Sequence, residues 1–115
     1  MRTSLLLASL LLALPAAAAE RVIDFSGFPL NQTPPGFRSA VTGEGKPGDW
    51  RVVVDDTSPD KRPVLAQLAQ DPTDEHFPLL VLQDELFGDF TVTTRFKTVQ
   101  GTAEQMAGIA FRIQN

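Results

Sequence analysis

The sequence predicts an all-β domain behind a removable N-terminal leader. Three observations lead there: past residue 19 no stretch longer than a few residues carries the 3.6-residue apolar period of an amphipathic helix, several short runs alternate apolar and polar, and Gly- and Pro-rich segments punctuate them.

The leader is residues 1–19. A basic start at Arg2 is followed by an apolar run over residues 5–14 and then by Pro15 and small residues, with Ala17 and Ala19 fitting the small-x-small cleavage pattern. This is the order of a secretory signal peptide, and it puts the mature N-terminus at Glu20. The apolar run is shorter than the ~20 residues that span a bilayer, so no membrane anchor is expected after cleavage. The destination is periplasmic or secreted. Without a single cysteine, neither lipid attachment behind the signal nor a disulfide is available.

The remaining 96 residues, 20–115, allow one small domain, and a chain of this size buries only about 60–65% of its unfolded surface. Arg2 is the only charge lost with the leader, leaving nine basic residues against fourteen acidic ones. No basic run exceeds Lys61-Arg62, which argues against a nucleic-acid partner.

Residues 22–25 read as a short first strand. Residues 26–48 hold four of the nine prolines and five of the eight glycines and read as a long ordered loop. In residues 50–54, Trp50, Val52 and Val54 share one face, opposite Arg51 and Val53. The polar run at 55–63 turns the chain, and residues 64–68 return antiparallel. Residues 79–82 are apolar throughout, a short strand covered on both faces, with residues 85–89 as its exit turn.

The last pair has the clearest alternation. Phe90, Val92, Thr94 and Phe96 alternate with Thr91, Thr93, Arg95 and Lys97, and Ile109, Phe111 and Ile113 alternate with Ala110 and Arg112. The linker at 100–106 contains Gly101 and suits an antiparallel hairpin. A turn about residues 103 and 104 sets Phe96 opposite Phe111 on the core face and Arg95 opposite Arg112 on the other. Like charges directly opposite destabilise a sheet, so either both arginines splay into solvent or a carboxylate or polar ligand sits between them. Six strands fall short of the seven or so of a sandwich, and the sheet reads as unfinished.

The segments GDWRVVVDD, RPVLAQ, FPLLVL and FTVTTRFKTVQGTAEQMAGIAFR, taken in order, resemble an exported bacterial family. It is the 3-keto-disaccharide hydrolase family, formerly a domain of unknown function and often labelled family 16 glycoside hydrolase. The family pattern of an F-x-V-x-x-R-F strand leading through a Gly-containing loop to a G-I-x-F-R strand is matched by residues 90–96 and 108–112. The resemblance implies a concanavalin-like lectin and glucanase jelly roll that binds sugars on the concave face of one sheet. Family members continue into an aromatic-rich strand, often Tyr-Tyr. The chain is therefore expected to be the front part of such a jelly roll, prone to self-association and without demonstrable catalysis by itself. Carbohydrate is the expected partner; a non-catalytic sugar-binding or structural sandwich is the alternative.

Glycoside hydrolysis needs two carboxylates flanking the bond, about 5–5.5 Å apart for retention or about 6.5–9.5 Å for inversion. The Glu-x-Asp-x-x-Glu strand of the glucanase relatives does not occur. Asp84, Glu85 and Asp89 come nearest, but they bracket Gly88 in a turn and also read as a solvated loop. Asp55 and Asp56 offer hard oxygen ligands for a cation, or simply start a turn; no cofactor is expected. His76, the sole histidine, follows Glu75, which can orient it as a general base, yet no nucleophile accompanies it. Trp50 can stack on a sugar ring or pack in the core. Asn31-Gln32-Thr33 has the form of a glycosylation acceptor. The candidate ligand-binding residues are thus Arg95, Arg112 and Trp50.

Overall fold

The computed structural model describes residues 20–102 and 105–114. The leader expected at residues 1–19 lies outside them, as does the turn expected about residues 103 and 104. The described chain is all-β, with four strands in two antiparallel pairs and two short 3-10 turns.

Strand β1 is Phe37–Gly43, β2 is Trp50–Val53, β3 is Val64–Gln67 and β4 is His76–Leu82. The pairing is nested. β2 and β3 form an inner hairpin with Val52 opposite Leu65, and the flanking strands β1 and β4 pair with each other from Phe37 opposite Leu82 to Gly43 opposite His76. Two connectors, residues 44–49 and 68–75, carry the chain between the pairs.

The inner hairpin lies where the alternation placed it, one residue shorter at each strand's far end. Its turn is stitched by Lys61 N to Ser58 O at 3.0 Å and Arg62 N to Pro59 O at 3.3 Å. The outer edge of β2 is occupied too: Asn31 N donates to Val52 O at 2.7 Å and Val52 N to Gln32 O at 3.1 Å. Val52 is wholly buried, and Pro34 is the other side chain so enclosed among the described residues. The core is correspondingly thin.

Three expectations are corrected. Residues 22–25 are not a strand, because the Asp24 side chain accepts from both Ser26 N and Ser26 Oγ and turns the chain into the 3-10 segment Phe25–Gly27. An Asp side chain that bonds two residues ahead offers the backbone an alternative to a ladder.

Residues 26–48 are not one loop, since β1 lies inside them. Its glycines and prolines stand at its two ends. Pro34 O accepts from Phe37 N at 3.3 Å with Gly36 at φ +84°, the geometry of a Pro-Gly turn that launches the strand. At the other end a Cβ on Gly43 would drive into the carbonyl of Glu75. The intervening FRSAVTG segment is half-buried at its first five residues, and pairing with β4 overrides its weak local pattern. β4 in turn begins three residues earlier than residue 79 because His76, Phe77 and Pro78 extend the same register.

The third correction concerns the hairpin expected of residues 90–99 and 106–113, which form no strand ladder among the described residues. Phe90 rather than Phe96 meets Phe111, their rings 6.4 Å apart and edge to face. Arg95 and Arg112 are accordingly not cross-strand neighbours in a ladder, and Arg112 adopts a left-handed φ of 56°. A hairpin needs a third strand or a packed face to be stable on its own, and these apolar side chains stand about half exposed or more.

Candidate functional site

The two connectors meet at a knot built from Gly45, Lys46, Asp71 and His76. The His76 ring begins β4 and is nearly buried, at 8% side-chain exposure. Its Nε2 lies 2.5 Å from the carbonyl oxygen of Lys46 and 3.7 Å from Asp71 Oδ2. A carbonyl can only accept, so Nε2 carries a proton and donates it. That nitrogen is therefore not the acceptor a general base requires.

Lys46 is held from its other side as well, its N–H donating to Asp71 Oδ2 at 3.3 Å. Both backbone groups of one residue are thus clamped, one by a carboxylate from the opposite connector and the other by the imidazole that begins β4. Gly45 makes the approach possible: at φ +91°, a Cβ there would lie 2.8 Å from Asp71 Oδ2 and 2.8 Å from His76 Cδ2. Beside the knot opens a cleft of about 430 Å³, walled by Pro47 and Pro72 and edged by Lys46, Gln70, Asp71 and Thr73. Gln67, closing β3, fastens both connectors at their other ends. Its Oε1 accepts from Asp49 N at 3.0 Å and from Ala69 N at 2.7 Å.

The other oxygen of Asp71 accepts from Thr73 N at 2.9 Å and from the Thr73 hydroxyl. These bonds, the hydroxyl first, then Lys46 N–H and the nearby imidazole, hold the carboxyl down from 3.8 to about 2. Asp55 repeats the device: Oδ1 accepts from Thr57 N at 2.8 Å and Thr57 Oγ1 at 2.7 Å, and Oδ2 takes Lys97 Nζ at 2.9 Å. The Thr57 hydroxyl, followed by Lys97, lowers this carboxyl to about 2. Asp24 is lowered as well, chiefly by the Ser26 hydroxyl, and its second oxygen faces Arg62 at 3.5 Å. Asp24-Phe25-Ser26, Asp55-Asp56-Thr57 and Asp71-Pro72-Thr73 are one motif used three times to open a turn. The Asp-x-Ser/Thr spacing is visible in the sequence, but pairing acids with neighbouring acids hid it.

The residues singled out in the sequence are scattered over this frame. Asp55 starts a turn and its carboxylate is engaged by Thr57 and Lys97, while Asp56 is exposed beside it. Among the described residues no three His, Asp or Glu side chains gather as a metal site. Asp84 sits at a left-handed φ of 58°, and Glu85 pairs with Arg21.

Trp50 is half-buried, with its carbonyl accepting from Thr33 Oγ1 at 2.9 Å. Its indole Nε1 is buried without a protein acceptor, close against Gly48. The face it was expected to share with Val54 is lost, because β2 ends at Val53 and Val54 is 61% exposed. Thr33 of the Asn31-Gln32-Thr33 triplet thus braces β2. Arg95 and Arg112 are exposed and lie outside the four strands. The knot at His76 was missed because its members come from two connectors and the start of β4, with partners 25 and 30 positions apart in the chain.

No family model matches the chain, and neither does any curated protein or solved structure. No helix among the described residues is long and apolar enough to cross a membrane.

Proposed function

We propose that this is an exported all-β protein that binds carbohydrate and does not itself cleave glycosidic bonds. The observation that carries this reading is the state of the aspartates beside the cleft and at the hairpin turn. A glycosidase acid must be protonated at working pH, which calls for a raised carboxyl pKa, and its partner must face it across the bond. Asp71 and Asp55 are instead held near 2, with both oxygens of each bonded to groups of the chain itself. They are committed to holding turns.

The cleft supports the binding half of the proposal. It is open and edged by the side chains of Lys46 and Gln70 between two proline walls. Such a mixed set of donors and acceptors suits the hydroxyls of a sugar. The resemblance of the FPLLVL and GIAFR segments to a sugar-acting family supports the same class of ligand. A concanavalin-like jelly roll belongs to the proposal as well: nested antiparallel pairing, β1 with β4 around β2 with β3, is how a long β-ribbon wraps into that fold.

The test is a glycan array read beside a hydrolysis screen on the same purified protein. Binding to at least one glycan class, reduced by Lys46→Ala and Gln70→Ala and unaccompanied by release of reducing sugar, is the expected result. Turnover abolished by Asp71→Asn or Asp55→Asn would overturn the non-catalytic reading. A blank array would overturn the binding one.

A further inference from the structure

We infer that removal of the leader completes the fold: the ammonium freed at Glu20 closes on the Glu85 carboxylate and locks residues 20–25 against the body. The inference rests on the leader reading and is independent of sugar binding.

The residues behind the expected cleavage point are already seated. Val22, Ile23 and Phe25 line a small cavity of about 220 Å³ with Pro59, Pro63 and Val64. The Phe25 ring stands 6.3 Å from Phe37 at the start of β1, and Asp24 faces Arg62 at 3.5 Å. Nearer the cleavage point Arg21 pairs through Nη1 with Oε1 of Glu85, just past the end of β4. The segment is therefore pinned along its length, and the last pin is the neighbour of Glu20.

That pair uses one oxygen of Glu85. The other, Oε2, is buried and has no hydrogen-bond partner among the described residues. A buried acceptor without a donor is costly, and more so when it is charged. Glu20 N lies about one 3.8 Å Cα step and one bond from the Cα of Arg21. While the leader is attached this nitrogen is a neutral amide with a single hydrogen. Hydrolysis of the bond between Ala19 and Glu20 adds water across it, leaving a carboxylate on the departing leader and an amine on Glu20. An α-amine is mostly protonated at neutral pH and presents three donors. The body it meets carries fourteen acidic residues against nine basic ones, and Asp84 adjoins Glu85, a setting that favours a cation.

An insertion that keeps the leader but moves the ammonium tests the inference. Gly-Ser-Gly placed between Ala19 and Glu20 should still be cleaved after Ala19, which mass spectrometry of the exported protein reads, and it carries the new charge three residues further from Arg21. Thermal melts compare this chain with the exported wild type, each with Glu85 and with Glu85→Gln. With Glu85 in place the insertion should lower Tm by about 4–8 °C, the shift expected of one charge-assisted bond in a domain this small. In the Glu85→Gln chain the insertion should change nothing. An insertion without effect, or one equally costly beside Glu85→Gln, would overturn the inference and leave the leader reading standing. An exported wild-type chain that starts elsewhere than at Glu20 would overturn both.

Discussion

His76 donates from Nε2 to the carbonyl oxygen of Lys46 at 2.5 Å, joining the start of β4 to a residue thirty positions earlier. Replacing it by leucine removes that hydrogen bond, and a typical one contributes about 0.5–1.5 kcal/mol net. Urea denaturation of His76→Leu should show a loss of this size. His76→Gln keeps a donor of similar reach and should lose less. An equal loss in both variants would mean that ring packing, not the hydrogen bond, holds the connectors.

Gly45→Ala tests the same knot from the backbone. The added methyl meets Asp71 and His76 at 2.8 Å, and φ +91° is strained for any residue with a Cβ. A destabilisation of about 1–3 kcal/mol is expected for that strain. Gly43→Ala should be worse, because there the obstruction is the Glu75 backbone, which cannot swing aside as a side chain can. Thermal melts of the two variants decide the order.

Val52→Ala measures how thin the core is. Removing two methyl groups from a wholly buried site costs about 2 kcal/mol when transfer and cavity terms are combined. In a domain of this size that amounts to a fall in Tm of about 8–16 °C. A change within about 0.5 kcal/mol, ordinary for a surface position, would show that Val52 is not the centre of the fold.

What could be read in the sequence followed local chemistry. Trp50-Arg51-Val52-Val53 and Val64-Leu65-Ala66-Gln67 alternate around a Ser-Pro-Asp turn, and both strands and their pairing were legible. β1 was not, because its segment is recognisable only through β4, whose nearest pairing residue lies more than thirty positions away. The hairpin expected at residues 90–113 fails for the opposite reason. Its local pattern is strong, but no neighbouring layer among the described residues buries Phe96 or Phe111. Of the candidate site residues, Trp50 was placed on the right strand, whereas the His76–Asp71–Lys46 knot depends on two connectors crossing, which no local spacing encodes.

The leader is checked directly. Mass spectrometry of the exported fraction should find a chain beginning at Glu20, since the basic, apolar and small-residue regions occur in the order that signal peptidase reads. Retention of Met1 in that fraction would contradict it.

The aspartate turns also set how the fold responds to acid. Asp55 and Asp71 are held at about 2 in the folded chain against an ordinary value of 3.8. A carboxyl whose folded value is depressed favours the folded state wherever it is ionised, so its contribution is complete above about pH 4. It is lost as pH falls from about 4 to about 2, because protonating the folded form gives up the bonds to Thr57 and Thr73. Urea midpoints should therefore carry no pH dependence from these groups between about pH 5 and 8 and should drop across the acid window. Asp71→Asn removes one titrating site and keeps an oxygen that accepts from Thr73. It should be less stable than wild type at neutral pH and should lose less on acidification, so that the two curves converge toward pH 2. Parallel curves would mean that Asp71 titrates alike in the folded and unfolded chain, and the turn at Asp71-Pro72-Thr73 would then not be held by its charge.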